Sequence, residues 1–399
     1  MKRSTNRILT THVGSLVKPD DLQSMITARE HGDAYDAKTL DARITSAIGG
    51  VVRKQADVGV DIVNDGEFSK SSWGAYFRDR LNNVEARLGA RSTPGNIWDR
   101  DAPLFPGWFE GARLGGGPRF SYVHRSLQAA KGLQDTGITG SFCTGPLKYV
   151  GAQQVQTDIA NLKAAAQGLP IEELCLTALA PPIMAFFMAN EHYATEEEFV
   201  FAIAEAMNEE YRAIADAGIV LQLDEPAIVT NWHFLTHLDI PGYRRWMEPR
   251  IEALNVALKG IDPSRVRMHT CWGSIHQPHT QDIPLERVLD LLLKVNVGAY
   301  SFEASNPRHD HEWQVWKDIR LPDGKILIPG VIGHFTDMIE HPQLVAERIL
   351  KYASAVGKEN LIAGVDCGLG TRVGHESIVW AKFAAMAEGA RLASQQLWG

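Results

Sequence analysis

Short apolar runs alternate with amphipathic stretches along most of the chain. The runs that read as strands are DIVND (61–65), GSFCT (140–144), LCLTALA (174–180), IVLQLD (219–224), RVRMHT (265–270), GAYSFE (298–303), ILIPGV (326–331) and LIAGVD (361–366). Several run directly into Gly, Pro or a polar cluster, which marks a loop. Between them the apolar positions recur at helical spacing, as in 341–357 and 377–394. Residues 193–218 also carry end signals: Thr195 as N-cap, Glu198 three residues on, and Gly218 as a stop. Buried strands alternating with helices predict a parallel sheet, and about eight such units favour a closed (β/α)8 barrel over an open doubly wound sheet. THVGS (11–15) is a ninth strand candidate, so one run is expected at the rim. The stretch 82–125 breaks the rhythm with Trp98, Phe105, Trp108, Phe109, Phe120 and Tyr122. It reads either as a binding excursion or as a flap packed on the barrel. No linker divides the chain, so a single catalytic domain over 1–399 is expected.

The chemically loaded residues fall just after the strands. Asp65 and Glu67 follow the first full run, Asp224 and Glu225 end another, and His269 with Cys271, Glu303, and Asp366 with Cys367 end three more. Strand C-termini of a (β/α)8 barrel converge on one face, so these residues are predicted to share one bowl. His269 and Cys271 are two apart on a strand and therefore point to the same side. Taken alone, such a pair reads more readily as a satisfied buried His beside a buried Cys. Cys367, at a strand end broken by glycines that suit close approach of backbone and metal, adds a third soft donor. Two thiolates and an imidazole with one position open is the pattern of catalytic zinc. Glu303 is placed to fill that position at rest and to yield to a substrate thiol. A zinc-bound thiol is deprotonated near neutral pH and becomes a nucleophile.

Charge and cysteine usage narrow the alternatives. Forty basic against 48 acidic residues give a formal charge of −8, and no basic block is present, which speaks against nucleic acid and anionic membrane as partners. No apolar run approaches the roughly 18 residues of a membrane span. The N-terminus is basic without the apolar core of a signal peptide, so a cytoplasmic location is expected. The cysteines, Cys143, Cys175, Cys271 and Cys367, are too few and scattered for a disulfide framework.

THVGS, NDGEF, QLDEP, MHTC, SFEAS and DCGLGTR occur in an order, from residue 11 to 372, that resembles the catalytic barrel of cobalamin-independent methionine synthases. The resemblance implies a (β/α)8 fold and methyl transfer from a folate or another small donor to homocysteine or a similar thiol. It implies zinc on His269, Cys271, Glu303 and Cys367. It also implies that the substrate carboxylate lies on Val13, Gly14 and Ser15, and its ammonium on Glu67 and Asp224. Three features depart from that family. Thr230 stands where an acid on the folate side is expected, no counterpart of the folate-binding arginine-cysteine segment is found, and the proton-donor histidine falls on Phe335. His334 is adjacent but would point the other way on a strand; His309, His311 and His12 are the other candidates for proton delivery. The thiol half thus looks kept and the donor half changed, as in the similar epoxyalkane:coenzyme M transferase, which gives the alternative of a thiol opening an epoxide. A sulfonate acceptor would want arginine, and Arg308 and Arg372 lie beside ligand motifs. The retained Glu67 and Asp224 favour an amino-acid thiol.

Overall fold

A computed structural model of the chain describes all residues other than 32, 72, 89, 91, 93–99, 115–138, 274–277, 371, 372 and 374. Its strands, in chain order, are β1 (Leu9–Thr10), β2 (Ile62–Val63), β3 (Val84–Leu88), β4 (Thr139–Cys143), β5 (Glu173–Leu179), β6 (Met188–Asn190), β7 (Val220–Asp224), β8 (Val266–Thr270), β9 (Ala299–Phe302), β10 (Ile326–Ile332) and β11 (Ile362–Val365). Eight of them form one sheet in the order β1-β11-β10-β9-β8-β7-β5-β2, every pairing parallel. A parallel bridge between Thr11 and Ile62 joins the two ends and closes the ring. The fold is the expected (β/α)8 barrel.

The surplus strand candidate is GSFCT. Its strand, β4, pairs antiparallel with β3 and parallel with β6 in a separate three-stranded sheet. The first barrel strand lies just ahead of THVGS, so that motif runs off the end of β1. Of the 82–125 stretch, the described parts supply β3 and a helix, Pro106–Leu114. Trp98, Phe120 and Tyr122 lie outside the described residues. Arg100, between those parts, donates to the carbonyls of Trp232, Leu235 and Leu238 at 2.6–2.8 Å, and Asp101 Oδ1 accepts from Thr280 N at 3.1 Å. This part of the insertion is therefore tied to the loops that follow β7 and β8.

The helix signals hold. In Glu196–Asp216 the Thr195 hydroxyl accepts from Glu198 N at 3.0 Å, Glu198 reaches back to Ala194 N, and Gly218 takes a left-handed φ of 79°. Helices Pro342–Val356 and Glu376–Trp398 occupy the other two periodic stretches. None of the described helices is long and apolar enough to cross a membrane.

Inside the barrel the side chains change character from one end to the other. Leu9, Ile62, Cys175, Val220, Ala299, Ile326, Ile328 and Ile362 pack together as an apolar plug. One step along the strands, Arg267 is buried among Gln222 Oε1 at 2.7 Å, Thr11 Oγ1 at 2.8 Å and the His12 carbonyl at 2.7 Å. One step further come Asp224, His269 and Ser301, which stand opposite one another in the register of β7, β8 and β9. The period of two that puts Val220, Gln222 and Asp224 on one face thus takes the interior from apolar plug to reactive rim.

Candidate metal and thiol site

His269 and Cys271, at the end of β8, meet Cys367 after β11. One nitrogen of His269 and the two sulfurs all lie within 4.8 Å of one another. The sulfurs are 3.8 Å apart, far beyond a disulfide bond. Two thiolates on one tetrahedral zinc, each about 2.3 Å from it, would also be about 3.8 Å apart. His269 Nδ1 is 3.1 Å from Ser301 Oγ, which orients the ring, while its buried Nε2 has no hydrogen-bond partner. A buried polar nitrogen is costly to leave unsatisfied, so this donor set fits a soft divalent metal. The Cys271 thiol donates to Cys367. That contact pushes Cys271 up, and the same contact, reinforced by His269 and His334, holds Cys367 well below the usual thiol range.

Glu303 extends from β9 beside this cluster. Its Oε2 accepts from Trp272 N at 2.9 Å and its Oε1 from Asn306 Nδ2 at 2.5 Å. Burial first, then the charge of Asp366, raises its carboxyl to about 8. One ligand atom each from Glu303, His334 and Asp366 lie within 4.8 Å of one another. Those three do not make a second metal site, because both Asp366 oxygens are taken by Ala304 N, Ser305 N and Ser305 Oγ at 2.6–2.8 Å. Asp366 instead clamps the turn that carries Glu303.

His334 corrects a sequence expectation. β10 ends at Ile332, so strand alternation no longer governs position 334. The ring is fully buried, grouped with Glu303 and Asp366, and close enough to Cys367 to stabilise its thiolate. Of the other histidines, His12 lies inside the barrel with Nε2 2.8 Å from Gln55 Oε1, and burial lowers it to about 4. His311 is exposed. Arg308 spends its guanidinium on the Thr280 carbonyl, and Arg372 lies outside the described residues.

The acids cluster beside the sulfurs. Asp224 is buried, with Gln222 Nε2 on its Oδ1 at 3.0 Å; burial, then the charges of Glu67 and Cys367, push it well above the carboxylate range. Glu67 is half-buried and also raised, by burial first. It sits at φ 60°, a left-handed conformation strained for a non-glycine residue, and its amide bonds Asp65 Oδ1 at 2.9 Å. A Cβ on Gly14 would lie 2.4 Å from Glu67 Oε1, so only glycine lets this carboxylate approach the Val13–Ser15 segment. The Val13 carbonyl accepts from Thr177 Oγ1 and Gln222 Nε2.

The glycines after Cys367 bring the loop into close contact with another stretch of backbone. Leu369 N and Gly370 N both donate to the Ser15 carbonyl at 3.0 Å. A Cβ on Gly370 would fall 2.5 Å from Ser15 Oγ and 2.6 Å from the Leu16 carbonyl. They dock the cysteine loop on the Gly14–Ser15 segment. Gly370→Ala is therefore expected to lower unfolding free energy by about 1–3 kcal/mol and to weaken thiol substrate binding, checked by urea unfolding and by KM. Unchanged values in both would mean that the two loops need not touch.

Residues 184–391 match the sequence family described as "Cobalamin-independent synthase, Catalytic domain". The chain is 22% identical to the methionine synthase of Sulfolobus acidocaldarius over 392 residues, covering 97% of this chain and 93% of that protein. It is 24% identical to that of Saccharolobus islandicus, covering 97% and 95%. Among solved structures it is similar to a B12-independent methionine synthase from Shewanella sp. W3-18-1 in complex with selenomethionine, with TM-score 0.69, 20% identity, and coverage of 98% and 99%. A vitamin-B12-independent methionine synthase described as putative, from Listeria monocytogenes, gives TM-score 0.65 at 19% identity, covering 99% and 100%. These two likenesses are of fold.

Proposed function

The chain belongs to the cobalamin-independent synthase family and is a methyltransferase of the methionine synthase kind; on that premise we propose that it is a zinc enzyme that alkylates homocysteine or a close amino-acid thiol. The observation that carries this reading is the meeting of His269, Cys271 and Cys367, with sulfurs at tetrahedral-zinc spacing and one thiolate already favoured. Zinc on these residues would supply the Lewis acidity that keeps a bound thiol ionised near neutral pH. Glu303 is the displaceable fourth donor. A carboxylate already shared between Trp272 N and Asn306 Nδ2 has somewhere to go when substrate arrives.

The remaining residues orient the amino-acid part. Glu67 and Asp224 receive the ammonium, which relieves two desolvated carboxylates that repel each other. Gly14 N, Ser15 N and the Ser15 hydroxyl receive the carboxylate, with the Val13 carbonyl fixing that turn. Holding both charges aims the thiol at the cysteine cluster and raises its effective concentration. The described insertion residues, tied to the loops after β7 and β8, cover the donor side, so the whole chain acts as one catalytic unit. Thr230 lies buried there with its hydroxyl on the Pro226 carbonyl at 3.0 Å.

The test is thiol alkylation by the purified zinc-loaded protein, with homocysteine against methyl-tetrahydrofolate, methylcobalamin and an epoxide. Formation of methionine from a methyl donor is expected. An S-hydroxyalkyl product from the epoxide alone would replace the methyl-transfer part of the reading. No product from any donor would overturn it.

A further inference from the structure

Lys18 carries a charge that the fold leaves unmatched. It lies three residues beyond Ser15, just before Pro19 and the helix Asp20–His31. A lysine near a surface normally turns its ammonium to water. Here the side chain is partly buried, and burial lowers the ammonium below the usual lysine range. Among the described residues it has no hydrogen-bond or salt-bridge partner. A cation drawn away from water without a partner is costly, so its position calls for a ligand of opposite charge.

The backbone fixes what Lys18 faces. Leu16 N donates to the Gly66 carbonyl at 3.1 Å, which joins the Gly14–Lys18 segment to the turn that carries Glu67. Glu67 Oε1 packs so closely on Gly14 that a Cβ there would lie 2.4 Å away. Of the charges acting on Lys18, that of Glu67 is the largest. Two ammonium groups act on Glu67 in turn, those of Lys70 and Lys18, yet burial wins and the carboxyl stays raised. Glu67 and Lys18 thus oppose each other across a gap wider than a salt bridge.

Lys70 is tied down elsewhere. Its Nζ donates to the Thr177 carbonyl, and the Thr177 hydroxyl donates to the Val13 carbonyl at 3.1 Å. The charge that acts on Lys70 most is Asp65. Asp65 is fully buried, with Oδ1 accepting from Glu67 N at 2.9 Å and Oδ2 making no hydrogen bond, so its charge is answered by Lys70 rather than by a neighbour in contact. With Lys70 and Asp65 offsetting each other, Glu67 and Lys18 are the opposite charges left over on adjoining loops. Asp224 stands with Glu67, which acts on it directly.

A zwitterion answers both. The ammonium and carboxylate of an α-amino acid sit on one carbon, so a cation for the carboxylate must stand next to the acids that take the ammonium. Lys18 meets that condition. The amides of Gly14 and Ser15 and the Ser15 hydroxyl are dipoles that orient a carboxylate, but a desolvated anion beside Glu67 and Asp224 is repelled by both unless a full positive charge is near. We propose that Lys18 is the counter-ion of the substrate carboxylate, and that the site therefore selects a thiol bearing both charges of an α-amino acid. The inference rests on the amino-acid-thiol reading above and deepens it. The substrate ammonium enters beside Glu67 and Asp224 while its carboxylate turns to Lys18, so that acid, ammonium, carboxylate and lysine alternate in sign. No bond or proton changes hands in this step.

The experiment measures binding to the full zinc-loaded chain by calorimetry. The probes are homocysteine, 3-aminopropanethiol, which lacks the carboxylate, and 4-mercaptobutanoate, which lacks the ammonium. Lys18→Met is expected to weaken homocysteine and 4-mercaptobutanoate roughly 30-fold or more while moving 3-aminopropanethiol by less than about threefold. Lys18→Arg should restore most of the affinity. In turnover the loss should appear in KM with kcat kept within about threefold, because the carboxylate lies at the far end of homocysteine from the sulfur. Lys18→Met should also be at least as stable as the wild type, since it removes a desolvated ammonium that has no partner. Binding of 3-aminopropanethiol doubles as a check that the variants fold. Equal losses with all three thiols, no loss with homocysteine, or a carboxylate-selective loss in Lys70→Met or Arg372→Met with none in Lys18→Met would overturn the assignment. Homocysteine bound through Lys18 but alkylated by no donor would leave this inference standing and remove the reading beneath it. A wild type that binds none of the three would remove both.

Discussion

Replacing Cys271 and Cys367 together with serine is expected to take bound zinc from about one ion per chain to nearly none and to cut thiol alkylation by more than about 1,000-fold. The two sulfurs are the soft donors of the set, and as thiolates they bring the negative charge that holds a divalent ion between the two strand ends. Serine matches their size but stays protonated at neutral pH, so the barrel should fold around a site that no longer binds. Elemental analysis of the purified variant reads the metal directly. Full zinc retention would remove the assignment. The same geometry fixes a pH dependence. Without metal, Cys271 holds its proton against the Cys367 thiolate. Metal uptake must expel that proton, so apparent affinity should rise about tenfold per pH unit while Cys271 stays protonated. Competition with a chelator at several pH values measures this slope, and a flat profile would mean that the cysteine pair is not the site.

Much of this site was legible because barrel strands alternate strictly. His269 and Cys271 were placed together by a spacing of two, and the same spacing carries Ser301 to His269 and Glu303 to Trp272 N. Strand termini told which end of the barrel was reactive. The pattern failed where partners are distant. GSFCT has the apolar character of a barrel strand, and only its long-range pairing with Val84–Leu88 takes it out of the ring. His334 was misjudged because alternation was extended two residues beyond the end of β10. The glycines after Cys367 announced a close approach, but that the partner is Ser15 depends on contacts more than 350 residues apart in sequence. His309 lies between Asp282 Oδ2 at 3.0 Å and Glu312 Oε2 at 2.9 Å, and no period announces the more distant partner.

Glu67→Gln is expected to cost an amino-acid thiol roughly 30-fold or more in kcat/KM, the effect of removing about 2 kcal/mol or more from a buried charge pair. 4-Mercaptobutanoate, the homocysteine analogue without the ammonium, should lose much less, because it never makes that pair. Asp224→Asn should behave alike. The substrate-free protein should move in the opposite sense. Both carboxyls are raised in the folded state, Asp224 partly by Glu67 itself. The folded protein then holds more protons than the unfolded chain above pH about 4, so stability falls as pH rises through the window between the unfolded and the folded pKa. Glu67→Gln removes one raised group and relieves the other. Its unfolding midpoint should therefore equal the wild type in acid and exceed it at alkaline pH, with a flatter pH slope. Saturating homocysteine should erase the difference by stabilising the wild type more. Equal kinetic losses with both thiols, or a variant less stable at every pH, would show that the two acids brace the barrel. The opposite signs of the binding and stability effects are what distinguish a pair kept repelling for a ligand from a pair kept for the fold.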